Sequence, residues 1–342
     1  MQTHARLQKS LLMAQRAYRN HHMRFLLFGM LLAVLPILTG AGLVRVNILT
    51  TMASVLIYSV AALGLNLLLG YSGLVSLGTA GFMGLGAYLA AFFTKQMEMS
   101  FWVSLLAALL VPTLIGVLVG LVSLRIAGLY LAIATLCVSE ILLKTFEEVE
   151  AFSGGMRGIQ IRYPVIFGYQ MTRESMYWML VAILIFMMML TYNLVNGQFG
   201  RALHAMRGSE SAAQAMGVSL LKYRLIVFAL ATAYAGLAGM LYVFFIRASY
   251  PTTWGLTLSL NLVAAIVIGG LRSIYGTVIG TFVVWAMSDL IIKQLPVIKD
   301  MYGVAYIVTG ILIVLIILFY PNGLSQIFHD VKKLARLPRK RG

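Results

Sequence analysis

Residues 48–69, ILTTMASVLIYSVAALGLNLLL, form an apolar run without a charged residue, and residues 70–88, GYSGLVSLGTAGFMGLGAY, follow it directly with six glycines. A transmembrane helix needs about 20 consecutive, mostly apolar residues, so the first run predicts one spanning helix. Glycine lets helices approach closely, and interrupted membrane helices occur where freed backbone groups are buried in protein or line a cavity. Together the two runs predict a membrane protein with a glycine-rich interruption.

Apolar runs of similar composition recur along the whole chain. Of its 342 residues, 61% are hydrophobic and 11% are charged, whereas a soluble domain is about half apolar and a quarter charged. The excess apolar surface must face lipid, so the predicted fold class is an all-α polytopic membrane protein. The eighth run is too short to cross as a straight helix, and is either a half-helix or starts earlier. The ten predicted spans are 25–44, 48–69, 74–94, 101–124, 127–145, 176–196, 224–246, 259–270, 274–293 and 303–320.

The basic residues predict how these spans are oriented. With the amino terminus in the cytoplasm, 17 lysines and arginines fall on the cytoplasmic side and nine on the other, as the positive-inside rule requires. The net charge of +16 therefore indicates membrane orientation and not nucleic-acid binding. We predict a basic cytoplasmic extension over 1–24, a transmembrane domain over 25–321 and a basic cytoplasmic tail over 322–342. Because no small-residue cleavage site follows the first span, we expect it to be retained and not removed as a signal peptide.

The polar connections are too small for a soluble enzyme domain. The two longest are an external connection, 146–175, and a cytoplasmic connection, 197–223. The five histidines have no metal-ligand spacing, and the single cysteine, Cys137, cannot form a disulfide within the chain. No G-x-x-x-x-G-K-[ST] sequence is present, so ATP cannot be bound by that route. We therefore expect neither an enzyme nor a cofactor or metal, and we expect energy to come from a partner.

The first glycine segment, residues 66–88, is a candidate for the solute pathway. Such a path needs polar but uncharged groups near the middle of the bilayer, and interrupted helices supply them. The alternative is that its glycines serve only tight helix packing. The candidate pathway residues here are Asn66, Ser72, Ser76, Gly78, Thr79 and Gly81.

The second glycine segment, residues 264–280, is the other candidate. Its run-up, Leu260-Asn261-Leu262, repeats Leu65-Asn66-Leu67 before the first segment. Transporters are often built from duplicated halves with interrupted helices at matching places, so one interpretation is an internal repeat. The candidate pathway residues are Asn261, Gly269 and Gly270.

Within the cytoplasmic connection, alanines and methionines recur at helical spacing. Ala202, Met206, Ala213 and Met216 could offer a soft docking surface to a cytoplasmic protein, beside directional contacts from Arg207 and Glu210. The alternative is an interfacial helix that rests on lipid headgroups.

Glu140 is the one carboxylate clearly inside a predicted span. Intramembrane ionisable residues are costly and usually functional. Lys144 lies four residues later on the same helical face, so the sequence predicts a structural or gating ion pair between the two.

Several motifs, in order from about residue 48 to 324, resemble the larger permease subunit of branched-chain amino-acid ABC importers. Two positions depart from that pattern: Thr79 stands where the family commonly has histidine, and Ser153 where it commonly has threonine. The matching stretches are GYSGLVSLGTAGFMGLGAY (70–88), LRIAGLYLAIATLCVSEIL (124–142), FSGGMRGI (152–159), RALHAMRGSESAAQAMGVSLLKYRLIVFALATAYAGLAGMLY (201–242), GGLRSIYGTVIG (269–280) and FYPNGL (319–324).

This resemblance implies a subunit of the bacterial inner membrane that works with a second related permease, two cytoplasmic ATP-binding subunits and an external solute-binding protein. The implied solute is a branched-chain or other hydrophobic amino acid, although similar sequences carry urea, short amides or aromatic acids. An ATP-independent carrier or channel is a more distant alternative. In the family, the loop matching 201–217 docks on the ATPase, and we call the cytoplasmic connection that contains it, 197–223, the coupling loop. Its candidate docking residues are Arg201, Arg207, Glu210, Ala212, Ala213 and Gly217.

Overall fold

A computed structural model gives the structure of the chain. It describes residues 21–40, 42, 45–123, 129–287, 310, 311, 314, 318, 323 and 324. The predicted tenth span, 303–320, and both basic termini therefore lie almost wholly outside the described residues.

The described chain is mostly helical. Two α-helices run on into π-helical turns, at Leu67–Tyr71 and at Phe282–Met287. The α-helices, in chain order, are α1 His21–Ala33, α2 Leu35–Gly40, α3 Val46–Asn66, α4 Thr79–Lys95, α5 Phe101–Ser123, α6 Leu129–Glu148, α7 Glu150–Ser153, α8 Arg173–Asn196, α9 Gln198–Gly208, α10 Glu210–Ala215, α11 Leu220–Ile246, α12 Leu256–Gly269 and α13 Ile274–Thr281.

Six helices in the described part of the chain are long and apolar enough to cross a membrane, which supports the polytopic all-α fold class. The surface of α5 shows what faces the lipid: Leu106, Leu110, Leu114 and Leu118 recur every four residues, and each is more than half exposed. A continuous apolar stripe of this kind is unfavourable in water, so it indicates the side of α5 that faces lipid. The six are His22–Gly40, Val46–Tyr71, Phe101–Leu121, Arg173–Asn196, Leu220–Ile246 and Pro251–Gly269.

Helix α11 forms the centre of the bundle, in contact with α3, α4 and α5. Glycines allow the close approach of α4 and α11, because a Cβ built on Gly86 would lie 2.1 Å from the Gly236 carbonyl oxygen. A Cβ on Gly239 would lie 1.8 Å from the carbonyl oxygen of Met83. The two backbones therefore touch directly, as small residues permit in membrane helix pairs.

Two predicted span boundaries shift by five residues or more in the described part of the chain. The third span was predicted to begin at residue 74, but α4 begins only at Thr79, because the chain leaves helical geometry at Gly73. The eighth span, predicted over 259–270, begins earlier: a 3₁₀ turn at Pro251–Trp254 leads into α12, and together they are long enough to cross.

The connection 146–175, which was predicted to be external, contains short ordered elements. Helix α6 extends to Glu148, and a 3₁₀ turn follows at Gly155–Arg157. Strand β1, Ile159–Gln160, pairs antiparallel with β4, Ala248–Ser249, beyond α11. Strands β2, Val165–Ile166, and β3, Tyr169–Gln170, form a hairpin. The pairing of β1 with β4 ties this connection to the far end of the central helix.

Candidate functional site

The first glycine segment leaves helical geometry between α3 and α4. In the π turn, the Ser72 N–H donates to the Leu67 carbonyl at 3.3 Å, and the Leu74 N–H to the Leu68 carbonyl at 3.1 Å. Gly73 then takes a φ of +76°, in the left-handed region that favours glycine. An irregular stretch runs from the exposed Gly73 to the buried Gly78.

Hydroxyl groups of other helices hold the buried start of α4. The first N–H groups of a helix have no partner within it. Here the Ala80 N–H donates to Ser259 Oγ at 3.0 Å and the Gly81 N–H to Ser139 Oγ at 3.1 Å. Just before the helix, the Leu77 N–H donates to Thr135 Oγ1 at 3.0 Å. Three side chains from α6 and α12 therefore fix the end of the interrupted helix.

A small cavity lies beside this helix start, between the π-helical turn that follows α3, the irregular stretch, α4 and α11. Its volume is about 10 Å³, which is close to the room that one water molecule needs. An amino acid cannot enter a cavity of this size. The cavity is lined by Leu68, Ser76, Thr79, Phe82, Phe228, Ala231, Thr232 and Ala235.

Five of the candidate residues of the first segment separate into three groups. Ser76 and Thr79 line the cavity. Gly78 and Gly81 instead pack against α6, because a Cβ on either would lie 2.7 Å from an oxygen atom of Thr135 or Ser139, respectively. Ser72 turns its hydroxyl to the Leu68 carbonyl at 2.5 Å.

The second glycine segment is a close-packed helical hairpin. A Cβ on Gly269 of α12 would lie 1.9 Å from the Gly276 carbonyl oxygen of α13, and Gly270 has a φ of +106°. Both glycines are therefore needed for the turn and the close approach. Asn261 is half-buried on α12 and makes no side-chain hydrogen bond to any described residue.

Asn66 joins the two glycine segments. Its side chain is 1% exposed. The amide Nδ2 donates to Thr277 Oγ1 at 2.7 Å, and Oδ1 accepts from the Arg272 N–H at 3.1 Å. A second polar contact joins the same two helices: Ser59 Oγ of α3 and Thr281 Oγ1 of α13 lie 2.5 Å apart. These polar contacts tie α3 to α13. If one glycine segment moves, either the other must move with it or these contacts must break.

The coupling loop contacts the region around Asn66 through Tyr71. The His204 ring of α9 lies 5.7 Å from the Tyr71 ring in an edge-on arrangement. The Tyr71 hydroxyl donates to the Arg272 carbonyl oxygen at 2.6 Å. Arg207 reaches the same region: burial, and then the positive charge of Arg272, lower the pKa of Arg207. We call His204, Tyr71, Arg272 and Asn66 the coupling junction.

The coupling loop contains two short helices with a serine cap between them. Ser209 Oγ accepts from the Ala212 N–H at 3.3 Å and starts α10. Glu210 pairs with Arg224 of α11, which fastens α10 to the bundle. The side chains of Arg201, Arg207, Glu210 and Ala212 are exposed, as is Gly217.

The alanines and methionines of the loop do not form one docking face. Ala202, Met206 and Ala213 are buried against the bundle, and only Met216 is exposed, at 85%. The prediction that all four present a surface to a partner is therefore wrong. The apolar side of the loop is used to hold it to its own chain, as amphipathic helices on a bundle normally are.

The predicted ion pair between Glu140 and Lys144 is not formed. Lys144 Nζ lies 2.5 Å from Glu147 Oε2 instead. Glu147 is three residues further along α6, which is an equally good helical spacing for an ion pair. Sequence spacing could not decide between these two glutamates.

Several residues of the site were not foreseen in the sequence. Tyr71 and Arg272 carry the junction through side-chain and backbone atoms, and Thr232 lines the cavity. Asn66 and Thr277 are 211 residues apart, so no local spacing relates them. A signal does exist for Ser273, whose Oγ accepts from the Gly276 N–H at 3.0 Å as a helix N-cap. Within the described ranges no group of three or more metal-binding side chains occurs.

Comparisons with known proteins agree with the sequence motifs. Residues 47–317 match the family described as "Branched-chain amino acid transport system / permease component". The chain is 29% identical, over 91% of its length and 76% of the relative's, to the high-affinity branched-chain amino acid transport system permease protein LivM of Salmonella typhimurium, and equally to LivM of Escherichia coli. Half of the chain is 33% identical to 53% of a probable branched-chain amino acid transport permease protein LivH of Methanocaldococcus jannaschii.

A shorter stretch, 29% of the chain, is 31% identical to 32% of the ribose import permease protein RbsC of Escherichia coli. No solved structure matches the chain. The family match covers most of the chain, including both glycine segments and the coupling loop. Its apolar helices, its interrupted segments and this match together show that the chain belongs to the branched-chain amino-acid permease family of ABC importers.

Proposed function

We propose that this chain forms part of the solute path of an importer for a small hydrophobic amino acid, and that separate ATPase subunits drive it through the coupling loop. The observation that carries the proposal is the coupling junction. An unbroken set of contacts leads from the exposed loop, through His204 and Tyr71, to Arg272 and Asn66. Force applied to the loop therefore has a route to both glycine segments.

The lining of the small cavity favours a hydrophobic amino acid over urea or a short amide. Five of its eight residues are apolar, and Ser76, Thr79 and Thr232 add only hydroxyl groups. Burial in such surroundings lowers the free energy of a branched aliphatic side chain. Urea has no apolar part that this lining would stabilise, whereas the ammonium and carboxylate groups of an amino acid need polar partners outside the cavity.

The proposed mechanism starts from a cavity that is too small for the solute. A loaded binding protein docks on the external side, and ATP binding brings two nucleotide-binding subunits together on the other. The coupling loop then shifts Tyr71 and Arg272, and the start of α4 moves away from α11 to open the cavity. Solute and nucleotide must favour different states for this cycle to run in one direction.

The proposed assembly also fixes the topology. Ten spans over 25–321 leave the basic segments 1–24 and 322–342 in the cytoplasm of a bacterial inner membrane. The coupling loop is then cytoplasmic and the connection 146–175 external. A second, related permease completes the membrane part of the importer.

Deletion of the gene in its native bacterium tests the solute. Uptake of radiolabelled leucine at low external concentration should fall about tenfold or more, since high-affinity uptake is lost when a translocation subunit is missing. Uptake of labelled urea should not change, and plasmid expression of the chain should restore leucine uptake. Unchanged leucine uptake together with lost urea uptake would assign the chain to the alternative solute class.

Replacing Arg207 and Glu210 together by alanine tests the docking role of the coupling loop. Both side chains are exposed, and the Glu210–Arg224 pair lies near the surface, where ion pairs stabilise a fold by no more than about 1 kcal/mol. The variant should therefore insert normally, while uptake falls about tenfold or more because directional contacts to the ATPase are lost. Membrane abundance by immunoblot and uptake by isotope counting measure the two effects. Normal uptake at normal abundance would remove the loop from the mechanism.

A further inference from the structure

A basic groove opens at the coupling-loop end of the bundle, beside the first helix. Its volume is about 640 Å³, and its walls come from α1, α8, α9 and the turn before α13. Arg24, His204 and Arg272 supply its ionisable side chains, and Asn196 and Ser273 add polar groups. No carboxylate is among the described residues that line it.

The positive charge of Arg272 acts on a second cation, Arg207. The pKa of Arg207 is lowered by burial and by the positive charge of Arg272, which means that two guanidinium groups repel each other beside the groove. A bound anion would reduce this repulsion. Guanidinium groups favour phosphate, because their fixed fork of N–H donors matches its oxygens.

The groove continues into a surface suited to acyl chains. Arg24 lies in the first turn of α1, and the same helix exposes Leu27, Met30 and Leu31 at 52%, 64% and 72%. Aromatic rings lie between the basic groove and the apolar face of α1: Phe25 stacks on Tyr275 with ring centroids 4.9 Å apart. Cations above an aromatic layer and an apolar helix face are arranged as in a lipid monolayer, from headgroup to tails.

We propose that this groove binds the phosphate headgroup of one anionic phospholipid, whose acyl chains lie along the exposed face of α1. The site is independent of the proposed transported solute. Basic pockets between membrane helices are suited to anionic headgroups. The chain segment before α1 is an unsuitable occupant, because it carries Arg6, Lys9, Arg16 and Arg19 and would be repelled.

Native mass spectrometry of the purified full chain tests the site, with equal amounts of phosphatidylglycerol and phosphatidylcholine of the same acyl composition. We expect one phosphatidylglycerol to be retained per chain through delipidation, in preference to phosphatidylcholine. Arg24→Gln with Arg272→Gln should lower its affinity about tenfold to thirtyfold, since two cations near the surface are removed. Lys222→Gln, an exposed cation at the same end but outside the groove, should leave retention unchanged.

Further arms keep the proposal open to refutation. The wild-type lipid competition needs no variant. Arg24→Lys with Arg272→Lys should retain phosphatidylglycerol less well than the wild type but better than the double glutamine variant, because the charges remain while the guanidinium forks are lost. Equal retention of both lipids by the wild type would overturn the proposal. So would full retention by the double glutamine variant, or displacement of the lipid by millimolar inorganic phosphate, which would indicate a site for a free anion.

Discussion

Replacing Asn66 by alanine is expected to reduce solute uptake by about tenfold or more, while the chain still inserts in the membrane. The Asn66 amide makes buried hydrogen bonds to Thr277 Oγ1 and to the Arg272 N–H. Alanine leaves the Arg272 N–H without its asparagine partner and leaves Thr277 Oγ1 with only the Ser273 carbonyl, and a buried unpaired polar group costs about 1–3 kcal/mol. The cost falls on the contact between the two glycine segments, so it loosens the junction on which transport depends.

The measurement is uptake of labelled leucine by cells that carry the variant, corrected for membrane abundance. Asn261 offers a matched control. It is the corresponding asparagine before the second glycine segment, and it makes no side-chain hydrogen bond to a described residue. Asn261→Ala should change uptake less than about twofold, because Asn261 is not among the described residues that line the small cavity and no buried group loses a partner. Equal losses in both variants would mean that the junction has no special role.

Replacing Gly239 by alanine is expected to destabilise the bundle by more than about 3 kcal/mol, because a single methyl group would overlap a neighbouring backbone. A Cβ at this position lies 1.8 Å from the Met83 carbonyl oxygen and 3.0 Å from the Ala87 amide nitrogen. These neighbouring atoms belong to the backbone, so no side-chain rotation can relieve the overlap. Helices α4 and α11 would have to separate, which would also open the central core.

Stability is measured as the fraction of detergent-solubilised protein that stays monodisperse after heating. Gly208→Ala is the control, since no atom lies within 4 Å of a Cβ built there. Alanine is the better helix former, so this variant should be as stable as the wild type or slightly more stable. A Gly239→Ala protein with wild-type heat resistance would show that α4 and α11 do not pack as described.

Hydropathy predicted much of the fold, because lipid forces every spanning segment to be long, apolar and helical. The second, fourth and seventh predicted spans match α3, α5 and α11 closely for this reason. Hydropathy did not predict the irregular stretch from Gly73 to Gly78, because the hydropathy of an apolar segment is the same whether its backbone is helical or irregular. The partners that make this stretch possible, Ser139 and Ser259, are distant in sequence.

The candidate site could be predicted only in part, because its contacts are long-range. Asn66 was identified from its place before the glycines, but its partner Thr277 lies 211 residues away. Arg272 enters the junction through its backbone N–H and carbonyl groups, which no side-chain pattern indicates. Ala202 and Met206 read as a docking face, yet they pack inward. Helical spacing identifies an amphipathic face without saying what covers it.

The account rests on His204, Tyr71, Arg272 and Asn66 acting as one connected unit, and a double-mutant cycle tests this directly. Uptake is measured for His204→Ala, for Asn66→Ala and for the double variant, at equal membrane abundance. Residues within one network are coupled by about 0.5–3 kcal/mol, whereas independent sites add to within about 0.5 kcal/mol. We predict that the double variant transports about as well as the weaker single variant. If the two losses multiply instead, the coupling loop and the glycine segments work independently, and the proposed route between them does not exist.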